Sequence, residues 1–68
     1  MPFIRVTMTP GRTTEQKNEL IDRLTDTFLE VCGSPGQSKD GVWVVLEEVS
    51  PGNWGTGGRP MAAGAGPR

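Results

Sequence analysis

Residues 13–33, TTEQKNELIDRLTDTFLEVCG, carry the strongest periodic pattern in the chain and decide its fold. Thr13, followed three residues later by Gln16, resembles a capping box, in which each residue's side chain bonds the backbone of the other. Gly33 is expected to end the helix in the left-handed conformation that glycine adopts without strain. Apolar residues recur at helical spacing at Leu20, Ile21, Leu24, Phe28, Val31 and Cys32. The pattern predicts one amphipathic helix of about five turns.

The segments on both sides of this helix have the pattern of strands. The first segment alternates, with one face formed by Ile4, Val6 and Met8 and the other by Phe3, Arg5 and Thr7. After the loop SPGQSKDG, the run VWVVLEEV is β-branched and aromatic and predicts a second strand from Val42 to about Val49. Strand, helix and strand in this order form a β-α-β unit with two parallel strands and a right-handed crossover. The predicted fold class is therefore α/β.

The composition changes sharply at Pro51. The stretch PGNWGTGGRPMAAGAGPR holds six of the ten glycines. Within it, NWGTGG is predicted to form a tight C-terminal hairpin with Trp54 at its tip. The string beyond Arg59 has too little apolar mass to pack, and we expect it to be disordered or laid loosely on a neighbour. The predicted organisation is a single domain over residues 1–58 and a Gly/Pro/Ala-rich tail over residues 59–68.

Size and sheet coverage predict an oligomer. A chain of 68 residues makes one domain at most and buries little apolar surface. One helix cannot cover both faces of a two-stranded parallel sheet, and parallel sheets are normally buried on both sides. The uncovered face and the unpaired strand edges are therefore expected to meet other subunits.

Composition excludes several classes of function. A net charge of −1 without a basic run argues against a nucleic-acid partner. No apolar run reaches the ~20 residues of a membrane span, and no leader suggests secretion, so a cytoplasmic protein is expected. Cys32 is the only cysteine and there is no histidine, so no disulfide within the chain and no metal cluster is expected. We interpret Cys32 as a structural residue on the apolar helix face.

Few side chains could act as catalysts. The chain has no His or Tyr, and thus no Ser-His or Cys-His pair. Glu47 and Glu48 are adjacent in a strand and point to opposite faces, so they cannot form a carboxylate dyad. The glycines of GTGG lack the strand before and the helix after them that a phosphate loop requires, and they are better explained as hairpin residues. The candidates that remain are the N-terminal amine, Arg12 and Trp54.

Pro2 admits two interpretations. Its missing N–H costs nothing at a chain end, so the proline can simply be tolerated there. Alternatively, Met1 followed by a small residue is a pattern from which methionine is normally removed, which leaves Pro2 with a basic secondary amine. Burial or a nearby guanidinium disfavours the protonated form of such an amine, which could then serve as a general base near neutral pH. Arg12 would suit a substrate carboxylate, because its guanidinium can hold two oxygens at once.

Four pieces of the sequence together resemble a known family. MP at the start, GR after the first strand, EQK..LI..LT on the helix and G.WG.GG near the end are similar to 4-oxalocrotonate tautomerase and the short-chain tautomerase superfamily. The resemblance covers roughly residues 2–58. It implies that Pro2 is the general base after loss of Met1, that Arg12 binds a carboxylate across a subunit boundary, and that Trp54 is an apolar wall where the family usually has Phe. It also implies a β-α-β protomer in a homohexamer built as a trimer of dimers, with a dimer or trimer as alternatives.

The sequence departs from the family near the second strand. The family's tautomerases carry a second arginine there in a V-R-V context, whereas this chain reads Val42-Trp43-Val44. The preceding loop is also longer, which makes Lys39 an alternative cation. If Trp43 replaces the arginine, the site loses a carboxylate contact worth ~1.5–3 kcal/mol and gains an aromatic wall.

The resemblance therefore implies a cofactor-independent enol–keto tautomerase whose partner is a small-molecule carboxylate, with a monoacid preferred over a diacid. Two alternatives remain at this point. A hydratase or dehalogenase of unsaturated acids would need a water-activating carboxylate, but Asn53, Gly55 and Thr56 around Trp54 supply none. A non-catalytic subunit, alone or in a hetero-oligomer, would keep the fold while its site has drifted.

Overall fold

The computed structural model describes residues 2–61. Its regular elements are β1 (Phe3–Met8), α1 (Thr14–Cys32), β2 (Trp43–Glu48), β3 (Gly55–Thr56) and β4 (Arg59–Pro60), with short 3-10 turns at Lys39–Gly41 and Pro51–Asn53. β1 and β2 pair in parallel, and β3 and β4 pair in an antiparallel hairpin. The predicted α/β class, with a β-α-β unit and a C-terminal hairpin, is confirmed.

Helix α1 begins as the sequence predicts and ends differently. Thr13 accepts a hydrogen bond from the Gln16 N–H at 3.1 Å, and the Gln16 side chain accepts one from the Thr13 N–H at 2.9 Å, so the capping box is confirmed. The left-handed end at Gly33 is wrong, because its φ is −68° and its N–H still donates to the Leu29 carbonyl. A Cβ at Gly33 would overlap the Leu29 backbone, so a close approach requires glycine here.

The sheet has a simple register in which Phe3 lies opposite Trp43 and Met8 opposite Glu48. Strand β2 is one residue shorter at each end than the predicted run. Val42 is instead the most buried hydrophobic side chain of the described residues, at 8% exposure, and it packs just before the strand starts. The protomer therefore has little core of its own.

The two sheet faces have opposite environments. The side chains of Ile4, Val6, Met8, Val44 and Leu46 are half-buried on the face covered by α1. The face turned away from the helix is exposed and consists of Phe3, Arg5, Thr7, Trp43, Val45 and Glu47. We call these six residues the open face. The protomer thus leaves one face of the sheet uncovered, as the sequence predicts, and the structure shows which face it is.

Glu47 and Glu48 lie on opposite sides of the sheet, as predicted. Glu47 accepts a hydrogen bond from the Thr7 hydroxyl on the open face at 3.2 Å. Glu48 pairs with Lys17 of α1 at 3.3 Å on the covered face. The two carboxylates therefore have separate structural partners and do not act together.

The C-terminal hairpin differs from its predicted geometry. Its turn is formed by Gly57 and Gly58, both with positive φ, whereas Trp54 precedes the hairpin. The prediction that Trp54 forms the tip is therefore wrong, because only the two glycines adopt the left-handed angles that this turn needs. The predicted boundary after residue 58 falls inside the hairpin, and residues 62–68 of the predicted tail lie outside the described residues.

Cys32 is exposed in the protomer, so the predicted packing of this residue on the apolar helix face is wrong for the single chain. It is the last residue of α1. Within residues 2–61, no helix is both long and apolar enough to cross a bilayer.

Candidate functional site

Pro2 lies immediately before β1, half-buried at the amino end of the sheet. Its carbonyl oxygen accepts a hydrogen bond from the Trp43 N–H at 3.1 Å. This bond fixes the Pro2 backbone from its carbonyl side and leaves the nitrogen side outside the sheet ladder. The residue is thereby held in a defined place without using its own nitrogen.

Trp43 lies opposite Phe3 and on the same open face, with 55% and 58% of the two residues exposed. The Arg5 guanidinium carbon lies 5.8 Å from the centroid of the Phe3 ring, within the range of a cation–π contact. At the end of the sheet that carries Pro2, the open face therefore presents two aromatic side chains and one guanidinium.

Arg12 lies at the carboxyl end of β1, between Gly11 and the helix cap at Thr13. Gly11 has a φ of +128°, a conformation that side-chain-bearing residues rarely adopt, and it turns the chain from strand to helix. Arg12 is exposed, and among residues 2–61 no carboxylate lies within 4.0 Å of its guanidinium. Its charge also lies at a helix N-terminus, where the helix dipole does not favour a cation.

Trp54 is anchored at the same end of the sheet. Its indole N–H donates to the Val49 carbonyl at 2.8 Å, and its backbone N–H donates to the Pro51 carbonyl at 3.3 Å. Its own carbonyl accepts a bond from the Met61 N–H, which closes the hairpin onto it. The indole is therefore half-buried and fixed in orientation.

The four site residues predicted from the sequence fall into two pairs. Pro2 and Trp43 lie at the amino end of the parallel sheet, whereas Arg12 and Trp54 follow the carboxyl ends of its strands. Six residues of strand separate the two ends by about 20 Å. One protomer therefore does not bring Pro2 and Arg12 to the same small ligand.

Lys39 has partners of its own. Its ammonium lies 3.2 Å from an Asp22 oxygen and 2.9 Å from an Asp26 oxygen, both on α1. Hydrogen bonding to Asp26, then to Asp22, and the field of the two carboxylates raise the pKa of Lys39 above its ordinary value. The side chain is therefore directed to the helix and not to the open face.

Sequence reasoning did not select Phe3 and Arg5, which the structure places beside Trp43 on the open face. The signal available in the sequence was the alternation of β1, which places Phe3 and Arg5 on one face. It also did not select Asp22 and Asp26, whose spacing of four residues places two carboxylates on one helix face where a lysine can reach both.

Comparison with known proteins agrees with this architecture. The family model described as tautomerase enzyme matches residues 2–64. A probable tautomerase from Ralstonia nicotianae is 41% identical over 63 residues, covering 93% of this chain and 86% of the relative. A 2-hydroxymuconate tautomerase from Comamonas testosteroni is 36% identical over 58 residues, covering 85% of this chain and 87% of that protein.

A solved structure of a tautomerase also superposes on this fold. A chain of the heterohexamer 4-oxalocrotonate tautomerase from Chloroflexus aurantiacus J-10-fl superposes with a TM-score of 0.74 at 35% identity, covering 91% of this chain and 95% of that one. Together with the β-α-β fold, these likenesses support an isomerase as the class of enzyme. The chain belongs to the tautomerase family.

Proposed function

We propose that this protein is a cofactor-independent enol–keto tautomerase that acts on a 2-hydroxy-dienoate or enol carboxylate, with Pro2 as the general base after removal of Met1. The observation that carries the proposal is the hydrogen bond from the Trp43 N–H to the Pro2 carbonyl. It fixes the proline while leaving its nitrogen side unused by the sheet. Membership of the tautomerase family supports the same assignment.

The reaction moves one proton and needs no oxidant or reductant. The Pro2 amine takes the proton from the 2-hydroxyl of the enol acid, and the carbon–oxygen bond becomes a carbonyl. The electron pair of the carbon–carbon double bond moves along the conjugated chain, and the carbon at its end receives the proton from the prolinium nitrogen. The base is regenerated, so a single amine serves as both acid and base.

Arg12 would bind the substrate carboxylate through two hydrogen bonds from its guanidinium. Because Arg12 and Pro2 lie about 20 Å apart along the sheet of one protomer, the two residues can share a substrate only if they come from different subunits. Oligomerisation is thus part of the proposed site, and we propose a homohexamer assembled as a trimer of dimers. The open face, which the protomer leaves uncovered, is the surface available for this contact.

Trp43 and Trp54 would exclude water from the reacting atoms and give the site apolar walls. Trp43 stands where the family's tautomerases carry an arginine. Lys39, the alternative cation, already pairs with Asp22 and Asp26. We therefore propose that the enzyme prefers a monoacid to a diacid, because a second substrate carboxylate would meet an indole in place of a guanidinium.

The decisive experiment is the intact mass of the purified protein before and after exposure to 3-bromopropiolate, an electrophile that reacts with an N-terminal proline. Because Cys32 is exposed, the thiol is a competing target, and the Cys32→Ser variant removes it. The Pro2→Ala variant is the matched control for the secondary amine, because it leaves a primary amine at the same position. We expect a mass without Met1, one adduct on Pro2 in the Cys32→Ser variant, and loss of most tautomerase activity in Pro2→Ala without loss of the oligomer.

A retained Met1, an unlabelled Pro2, or full activity in Pro2→Ala would contradict the general-base assignment. A retained Met1 or an unlabelled Pro2 would also favour the second candidate, a non-catalytic subunit, which should then bind another tautomerase-fold chain. Two points favour keeping that candidate: the chain reads Val42-Trp43-Val44 where the resemblance implies an arginine, and the similar Chloroflexus aurantiacus protein is a heterohexamer.

A further inference from the structure

Lys39 connects the loop before β2 to helix α1. It begins the 3-10 turn Lys39–Gly41, and its ammonium reaches Asp22 and Asp26, one helical turn apart on α1. The Ser38 side chain caps this turn by accepting a hydrogen bond from the Asp40 N–H at 3.1 Å. The turn is therefore fixed by the Ser38 cap on its backbone and by the ion pairs of the Lys39 side chain.

A short chain of backbone contacts leads from this turn to Pro2. The Val42 N–H donates to the Lys39 carbonyl at 3.0 Å, and the Val42 side chain is buried. The next residue, Trp43, donates its N–H to the Pro2 carbonyl at 3.1 Å. Only three residues thus lie between the lysine that is bound to the helix and the residue whose amide fixes the proline.

We infer that Lys39 is a positioning residue for Pro2: its ammonium, bound to Asp22 and Asp26, fixes the start of β2 against α1 and thereby the Trp43 amide that holds the proline. Only the expected effect on catalysis rests on the proposed function, because the connection from Lys39 to the Trp43 amide is a property of the fold. It assigns to Lys39 a role different from that of a substrate-binding cation.

The two ends of β2 allow the positioning role of Lys39 to be distinguished from general stabilisation of the fold. A second ion pair between α1 and β2, Lys17 with Glu48, lies at the far end of the strand. There the Val49 N–H donates to the Met8 carbonyl at 2.8 Å, which gives an amide equivalent to that of Trp43 at the opposite end of the same strand pair. Loss of the Lys39 contact should loosen one end of the sheet and leave the other unchanged.

The test is amide hydrogen exchange on the full-length protein and three variants. Lys39→Met removes the charge and keeps much of the chain length, Lys39→Arg restores a cation, and Arg23→Met removes the exposed pair with Glu19 on the same helix. We expect Lys39→Met to reduce protection of the Trp43 amide about two- to fivefold, the range for exposed ion pairs, and to leave the Val49 amide unchanged. Lys39→Arg should retain protection, and Arg23→Met should alter neither amide.

Steady-state kinetics on an enol monoacid provides the second readout. Lys39→Met should lower kcat about two- to fivefold with KM unchanged, because a misplaced base affects the reacting geometry and not substrate binding.

An increased KM with unchanged kcat would overturn the inference and identify Lys39 as a cation that binds substrate. Equal protection of the Trp43 amide in wild type and Lys39→Met, or equal losses at Trp43 and Val49, would overturn it as well. A wild-type protein with no activity and an unlabelled Pro2 would refute the proposed function, while the exchange data would still decide the role of Lys39.

Discussion

Trp43 lies directly opposite Phe3, at the position that we propose corresponds to the family's second arginine. Replacing it by arginine would restore a guanidinium at the amino end of the open face. We expect Trp43→Arg to raise kcat/KM for a diacid relative to a monoacid by about tenfold or more, because a charge-assisted contact contributes ~1.5–3 kcal/mol. The measurement is the ratio of kcat/KM for a matched pair of enol substrates that differ by one carboxylate.

The matched control is Val45→Arg, which places the same charge on the same face of β2, two residues further along. It should leave the ratio unchanged, since position 45 lies opposite Arg5 and away from Pro2. An unchanged ratio in Trp43→Arg would mean that position 43 does not correspond to the family's arginine.

For single residues, the sequence indicates candidate site residues but does not indicate which side chains lie beside them. Pro2, Arg12 and Trp54 each stand within short motifs, and a motif is visible without knowledge of the fold. The nearness of Arg5 to Phe3 depends on side-chain direction along a strand, and that of Trp43 to Pro2 depends on the register between strands. Register follows from tertiary packing, which a single sequence does not contain.

The start of α1 offers a test at the scale of the element. The Thr13 side chain satisfies the Gln16 N–H, one of the helix's unpaired donors. We expect Thr13→Ala to lower the free energy of unfolding by about 1 kcal/mol, with Thr14→Ala as the control. Urea denaturation at one fixed protein concentration measures the difference. A loss in Thr14→Ala as large as that in Thr13→Ala would show that helix propensity, and not the cap, is responsible.

The link between α1 and the turn before β2 should depend on pH in one direction. Asp26 and Asp22 raise the pKa of Lys39 above 10.5, so the folded state binds this proton more tightly than the unfolded chain does. The contribution to stability is therefore fully present below pH 10.5 and is lost as the pH rises through the folded-state pKa. The neighbouring charges are those two carboxylates on α1 and Asp40 within the turn.

Comparison of wild type with Lys39→Met isolates this effect. The difference between their free energies of unfolding should be constant from neutral pH to about pH 10 and should shrink at higher pH. A difference that grows with pH would contradict the assigned ion pairs. Urea midpoints at equal protein concentration, measured across this range, provide the data.

At the scale of elements, periodicity accounts for what could be predicted. The alternation of β1 and the capping box of α1 are local patterns, and both elements form where these patterns predict. The end of α1 is different. Gly33 does stop the helix, but steric contact with the Leu29 backbone, and not a left-handed φ, requires the glycine. The 3-10 turn at Lys39–Gly41 depends on contacts with α1, and the local sequence carries no periodic signal for it.

For the whole molecule, the separation of Pro2 from Arg12 predicts complementation between inactive subunits. Pro2→Ala replaces the secondary amine by a more mobile primary amine and Arg12→Ala lacks the carboxylate contact, so each homo-oligomer should lose most of its activity. In an oligomer refolded from equal amounts of both, about a quarter of the sites should combine an intact Pro2 with an intact Arg12 by random mixing. Activity of the refolded mixture, compared with that of either variant refolded alone, measures the recovery.

Recovery of activity would establish that a site draws residues from two subunits. The control is a mixture of the two variants that is never unfolded, which should remain inactive while subunits do not exchange. An inactive refolded mixture that elutes as a normal oligomer would indicate that both residues come from the same subunit. The uncovered sheet face predicts an oligomer, whereas the subunit arrangement cannot be predicted from the sequence, because it depends on surface shape.

The parallel pairing of β1 with β2 also sets an order of events during synthesis. Residues that face each other across the sheet, such as Thr7 and Glu47, are 40 positions apart in the chain. At about 5–20 residues per second, the ribosome makes the strand that holds Pro2 about 2 to 8 seconds after Pro2 itself. During that interval the amino end has no partner strand. The aminopeptidase that the proposed mechanism requires would therefore act on an extended chain, and the new amine would be fixed in place only when β2 is complete.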